Sequence, residues 1–178
     1  MSKLTVQARD VEVLVLDVDG VLSNGLLIYS DNGEETKTFH PADGLGIKLL
    51  QSQGVAVAII TGRLSRIVEK RAAELGIKHV IQGREDKLQA LEGLLTELKL
   101  DLSRVAYMGD DLPDLAAISQ AGLGMTPADA DPFVMEHADW CSRHPGGRGA
   151  VREACEFILE ARGLLAGLRQ GFLEGTGL

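Results

Sequence analysis

Apolar runs of strand length alternate with amphipathic segments along almost the whole chain. The runs predict strands near residues 11–19, 55–61, 78–82, 105–109, 122–126 and 138–141. The segments between them predict helices near 45–53, 65–75, 87–99, 112–120, 130–137 and 149–168. Alternation of this kind argues for an α/β fold, a Rossmann-like parallel sheet flanked by helices. Ligands of such sheets bind beyond the carboxyl ends of the strands. That rule lines up Asp17 and Asp19, Thr61-Gly62-Arg63, and Gly109-Asp110-Asp111 along one edge.

One segment breaks the alternation. Between the first strand and the first helix, "GLLIYSDNGEETKTFH" holds two short runs around Asn32-Gly33, a dipeptide suited to a two-residue hairpin turn. It predicts a β-hairpin arm over about residues 25–40, placed to cover a site at the sheet edge. The other connections are too short for a lid. The glycine-rich end "GLRQGFLEGTGL" reads as a loose tail.

Composition narrows the class. A chain of 178 residues, 45% hydrophobic and 25% charged, is expected to form one domain with its own core over residues 1–178. A formal charge of −8 with scattered basic residues argues against nucleic acid as the main partner. With neither a signal-peptide pattern nor an apolar run near the ~20 residues that span a bilayer, the expected location is cytoplasmic, with no membrane partner. Cys141 and Cys155 lack CxxC spacing and are too few for a metal cage; Cys155 shares a helical apolar stripe with Val151 and Ile158, which predicts a buried thiol.

The chemistry begins where the first strand ends. Val11 to Leu16 is apolar except for Glu12, yet it runs into Asp17-Val18-Asp19, two acids on one side of the strand. Close like charges need a cation or a shared proton. With Asp110, Asp111 and Asp114 they form an oxygen-rich set suited to Mg²⁺, which takes one or two carboxylates and keeps room for phosphate oxygens. Asp114 also reads as a helix start after Pro113, and Asp111 as a turn residue. Lys87 opens a helix behind Asp86, a candidate cap, where its charge opposes the helix dipole unless an anion is near. Thr61 ends a strand and is followed by glycine, so it offers a hydroxyl and free N–H groups to a phosphoryl group. A cation site, a hydroxyl, an ammonium and a spare carboxylate are the parts that phosphoryl transfer needs.

Asp17-Val-Asp19-Gly20, Thr61, Lys87 and Gly109-Asp110-Asp111-Leu-Pro-Asp114, in this order, resemble the haloacid dehalogenase superfamily of phosphohydrolases. A narrower resemblance runs through "FHPADGLGIKLL", "TGRLSRIVEKRAAELGI", "VAYMGDDLPDL" and "GGRGAVREACEFIL". It is to the members that hydrolyse 3-deoxy-D-manno-octulosonate 8-phosphate on the route to lipopolysaccharide. Relatives acting on nine-carbon sialic-type acid 9-phosphates share most of these motifs. "DGVLSNG" departs from the group's "DGVLTDG" at Ser23 and Asn24.

The resemblance implies that Asp17 is the nucleophile and Asp19 the acid and base. It implies Mg²⁺ at Asp17, the Asp19 carbonyl and Asp110, with phosphate held by Thr61 and Lys87. For the sugar acid it points to His40, Pro41, Ala42, Asp43, Gly44, Lys48, Arg63 and Arg71, together with Asp19. It further implies a homotetramer joined through hairpin arms, with residues 169–178 gating a neighbour's site. A receiver-like signalling domain is the remote alternative. It is disfavoured because the third strand, in "KHVIQGRED", has no aspartate at its immediate end.

Overall fold

The computed structural model describes residues 2–177. Six strands, β1 (Val13–Leu16), β4 (Ala56–Ile60), β5 (His79–Ile81), β6 (Val105–Met108), β7 (Leu123–Thr126) and β8 (Trp140–Cys141), form one sheet in the order β5-β4-β1-β6-β7-β8. All five pairings are parallel. The helices are α1 (Lys3–Asp10), α2 (Pro41–Ser52), α3 (Arg66–Leu75), α4 (Lys87–Leu98), α5 (Leu115–Gln120), α6 (Pro132–His137), α7 (Ala150–Ala161) and α8 (Leu165–Leu173). β2 (Ile28–Tyr29) and β3 (Glu35–Thr36) pair antiparallel as the expected hairpin arm.

The period of two in β1 divides the core. Leu14 and Leu16 join the cluster under α1, α2, α3, α7 and α8, while Val13 and Val15 join the one under α4, α5 and α6. With both faces covered, the strand is apolar throughout, as parallel strands are. The chain leaves β1 toward β4 and β5, then returns to β6 on the other side, so the order reverses between β1 and β6. Such a switch point opens a crevice at the strands' carboxyl ends. Leu16 is paired in register with Ile59 and with Met108, which brings Asp17, Thr61 and Asp110 to the same edge.

Several elements differ from the sequence expectation. α1 has few apolar residues but is capped by Ser2, whose hydroxyl accepts the Thr5 N–H, and it buries Ala8. α2 starts four residues early: Pro41 supplies the fixed φ of a first helical position, and His40 Nδ1 accepts the Ala42 N–H. Residues 112–114 form a tighter turn ahead of α5. The helix expected over 149–168 is two helices, because Gly163 takes φ +72° and closes α7 with bonds from its own N–H to the Glu160 carbonyl and from the Leu164 N–H to the Leu159 carbonyl. The tail expected to be loose continues as α8 to Leu173, since Leu165 and Leu168 pack on the core. Among the described residues, no helix is long and apolar enough to cross a membrane. Both thiols are free, and that of Cys155 is buried.

Candidate active site

The loop after β1 is a wide turn over Val18–Leu22, closed by the Ser23 N–H donating to the Val18 carbonyl at 2.9 Å. Ser23 and Asn24 keep this turn's bonds: the Ser23 hydroxyl donates to the Val18 carbonyl at 3.3 Å, and the Asn24 side chain accepts the Leu26 N–H. Gly20 within the turn has φ +89°, and a Cβ there would stand 1.9 Å from Asp110 Oδ2. The glycine is required twice, once for its backbone conformation and once to let Asp110 approach. Against the turn lies the "GGRG" loop. The Gly147 N–H donates to the Val21 carbonyl at 2.8 Å, and a Cβ on Gly146 would strike the Gly20 carbonyl oxygen at 1.7 Å. These glycines serve close approach of two backbones.

A cavity of about 340 Å³ lies over this edge, with Asp17, Asp19, Thr61, Arg63, Lys87 and Asp110 among its lining residues. Asp17, 5% exposed, stands 3.1 Å through Oδ2 from Lys87 Nζ. The ammonium also meets Asp114 Oδ1 at 2.7 Å. Asp114 does not cap α5 as its position suggests; fully buried, it accepts from Lys87, from the Tyr107 hydroxyl at 2.8 Å and from the Asp110 N–H at 3.3 Å. Its role is to hold Lys87 and the Asp110 loop. Nor does the Asp86 carboxylate cap α4: it is bonded to the Arg84 guanidinium. Asp111 accepts the Leu112 N–H, as a turn residue does.

Oxygens of Asp17, Asp110 and Asp114 all lie within 4.8 Å of one another. Burial, then the charge of Asp114, pushes the Asp17 carboxyl well above the usual carboxylate range in spite of Lys87. Burial, then the charges of Asp17 and Asp114, pushes Asp110 up to about 8. Burial alone would lower Lys87, but Asp17 and Asp114 raise it above its ordinary value, so it is charged at neutral pH. With three clustered carboxyls and one ammonium, ionising all of them would leave negative charge uncompensated in a low-dielectric pocket. An all-oxygen donor set with that deficit fits a hard divalent cation. Asp17 and Asp110 are the carboxylates better placed to hold it, since Asp114 is already engaged by three donors.

The residues expected at the sugar acid are divided. Asp19 and Arg63 reach the cavity, with Arg63 Nε 3.9 Å from Asp19 Oδ2. His40, Pro41, Ala42, Asp43, Gly44, Lys48 and Arg71 do not line it. Asp43 is buried, and its carboxylate accepts the Gly149 and Arg152 N–H groups at 3.2 and 2.8 Å, tying α2 to the start of α7. Arg71 lies over the Phe39 ring, 5.7 Å from its centroid, and close against Gly44, where a Cβ would meet Nη2 at 2.5 Å. Lys48 is exposed on α2. Lys37, a residue that sequence reasoning passed over, contacts Asp19 with its buried ammonium.

Gly20→Ala should displace Asp110 and add strain of about 1–3 kcal/mol at a positive φ. Turnover is expected to fall by roughly 10²-fold, the scale of an ångström's misplacement, with more Mg²⁺ needed for half-maximal activity. Parent-like kinetics across a Mg²⁺ titration would show that the close approach of the two loops is dispensable.

Residues 27–122 match the haloacid dehalogenase-like hydrolase family. Over 159 residues the chain is 47% identical to the 3-deoxy-D-manno-octulosonate 8-phosphate phosphatase KdsC of Escherichia coli (strain K12), covering 89% of this chain and 85% of that protein. A probable YrbI family phosphatase from Pseudomonas syringae superposes with a TM-score of 0.95 at 51% identity, covering 96% of this chain and 97% of the other. The 3-deoxy-D-manno-octulosonate 8-phosphate phosphatase of Moraxella catarrhalis, solved with a magnesium ion, a phosphate ion and a KDO molecule, gives 0.95 at 45% identity over 97% and 99% of the two chains. With the motif residues gathered at one switch point and likeness extending over nearly its whole length, the chain belongs to the haloacid dehalogenase-like hydrolases.

Proposed function

We propose that the protein is a Mg²⁺-dependent phosphoric monoester hydrolase that releases phosphate from 3-deoxy-D-manno-octulosonate 8-phosphate. The observation that carries this is the buried Asp17 carboxylate at the cavity, 3.1 Å from Lys87 and grouped with Asp110 and Asp114. The relatives named above supply the substrate.

Asp17 attacks phosphorus, the bond from phosphorus to the sugar oxygen breaks, and Asp19 delivers its proton to that oxygen. Water then attacks the aspartyl-phosphate, Asp19 takes its proton, and Asp17 departs from phosphorus as phosphate is freed. Lys87 and Thr61 hold the phosphoryl oxygens through both steps, and Asp114 keeps the ammonium aimed at them. Asp17, Asp110 and the Asp19 carbonyl would hold Mg²⁺, which when bound neutralises charge developing on the phosphoryl group.

Arg63, which lines the cavity and is partly exposed, suits the substrate carboxylate. His40 to Gly44, Lys48 and Arg71 lie outside that cavity, so their assignment to the sugar acid requires a site completed by another subunit. The hairpin arm supports such an assembly: Leu26, Leu27, Ile28 and Tyr29 are 62, 49, 43 and 55% exposed in one chain. A homotetramer in the cytoplasm, with the segment from residue 169 near a neighbouring site, is the corresponding arrangement.

Steady-state kinetics on eight-carbon and nine-carbon sugar-acid phosphates test the substrate. The expected result is a kcat/KM on the eight-carbon compound at least about tenfold higher, a difference of about 1.4 kcal/mol in transition-state binding. The reverse order would assign the protein to the nine-carbon acids instead.

A further inference from the structure

The hairpin arm touches two residues that line the cavity, Asp19 and Arg63. Lys37, just past β3, has a side chain only 1% exposed, although the arm around it is largely open to water. Its ammonium contacts Asp19 Oδ1 and stands 3.3 Å from Glu35 Oε1. Glu35 in turn accepts from Arg63 Nη2 at 3.2 Å and from the Ser65 hydroxyl at 3.1 Å. Arg63 donates to the Tyr29 hydroxyl at 2.6 Å, and its Nε faces the other Asp19 oxygen at 3.9 Å. The Ser23 hydroxyl completes the surround, 3.4 Å from Asp19 Oδ1. One glutamate thus ties together the lysine and the arginine that face the two oxygens of Asp19.

Burying an ammonium is unfavourable unless it is paired and hydrogen-bonded. Nothing in the two-residue ladder of the hairpin requires Lys37 to turn inward, and the partners that compensate its burial are Asp19 and Glu35. We propose that Lys37, held by Glu35, is a positioning residue for the reaction: it fixes the rotamer of the Asp19 carboxylate that serves the leaving oxygen. The inference rests on the assignment of Asp19 as acid and base. It makes the arm part of the catalytic apparatus. Loss of such alignment acts on proton delivery and spares the attack on phosphorus.

Aryl phosphates of one size and graded leaving-group basicity, from p-nitrophenyl to phenyl to p-methoxyphenyl phosphate, separate these roles. The p-nitrophenolate ion leaves without a proton, whereas the more basic phenolates need one. In Lys37→Met, which keeps the apolar stem, kcat/KM should stay within about threefold of the parent for p-nitrophenyl phosphate and fall at least about tenfold further for p-methoxyphenyl phosphate. A uniform loss across the series, or no loss, would overturn the proposal; the former would leave Lys37 a tether of the arm. Asp19→Asn measured alongside must show the same steepening, larger in size. If it loses activity uniformly, the acid–base assignment fails; if it steepens and Lys37→Met does not, the positioning role alone fails. Should Lys37→Met melt below the assay temperature, Glu35→Gln keeps the ammonium and loosens its hold. Steepening there supports the proposal, and an unchanged slope overturns it.

Discussion

Asp17→Asn is expected to abolish phosphate release, by roughly 10⁴-fold or more, as removal of a nucleophile does, while raising the stability of the metal-free protein. The two effects have one cause. Asp17 is buried beside Asp114, and its carboxyl is pushed up because burial and that neighbour outweigh the attraction of Lys87. A carboxyl whose pKa is higher folded than unfolded binds more protons in the native state. Stability therefore falls as pH climbs from the ordinary carboxylate range toward the raised value. Asparagine has nearly the same shape and no charge, so it escapes this loss. In chelator, the variant should melt higher than the parent near pH 8, by roughly 2–4 °C for each kcal/mol recovered, and the gap should close toward pH 4. Added Mg²⁺ should raise the parent's melting temperature more than the variant's, because the cation binds the folded parent through the missing charge. Phosphate release assays and melting curves at several pH values read both effects. Parent-like turnover would remove Asp17 as nucleophile, and a lower melting temperature at pH 8 would show that Lys87 dominates its surroundings.

What the sequence makes legible follows from where chemistry meets periodicity. Apolar runs that stop abruptly at Asp17, Thr61 and Gly109 mark strand ends, and parallel strands bring their ends to one edge, so the Asp17–Thr61–Lys87–Asp110 group can be assembled before any coordinates. Asp114 is misleading because local rules speak first: an acid after Pro113 looks like a cap, and only the fold shows Tyr107 and Lys87 converging on it from β6 and α4. Lys37 has no local signal at all. It lies among polar residues of a hairpin, 18 positions from Asp19, and its burial depends on how the arm folds back. The segment His40 to Gly44 shows a third limit. Its motif is plain, but Pro41 starts a helix there and turns Asp43 inward to α7, so one chain does not bring it to the cavity. α1 and the break at Gly163 are lost for an energetic reason, since weak amphipathic stretches owe their helices to capping and tertiary contact more than to their own pattern.

Lys87→Met should destabilise the folded state strongly. Lys87 is 5% exposed and lies 3.1 Å from Asp17 and 2.7 Å from Asp114. Removing the ammonium leaves two buried carboxylates facing one another, and breaking a buried pair in this way costs about 3–5 kcal/mol. That corresponds to a melting temperature lower by roughly 6–20 °C. Turnover should fall by roughly 10²–10³-fold, the scale of losing one charged contact to a phosphoryl oxygen in a dry site. The stability loss is separable from the catalytic one. Adding Asp114→Asn removes one of the stranded charges and leaves an amide oxygen for the Tyr107 hydroxyl. The double variant should therefore melt above Lys87→Met without recovering turnover, with a coupling between the two positions of about 1–3 kcal/mol. Mg²⁺ should stabilise Lys87→Met more than it stabilises the parent, because the cation takes over part of the neutralisation that Lys87 provides. If the two substitutions are simply additive, Asp114 does not act on stability through the lysine, and its hold on the Asp110 N–H becomes its main structural role. If Lys87→Met melts like the parent in chelator, the acids at the end of β1 and after β6 are neutral without the lysine, and the compensation lies in shared protons instead of the ammonium.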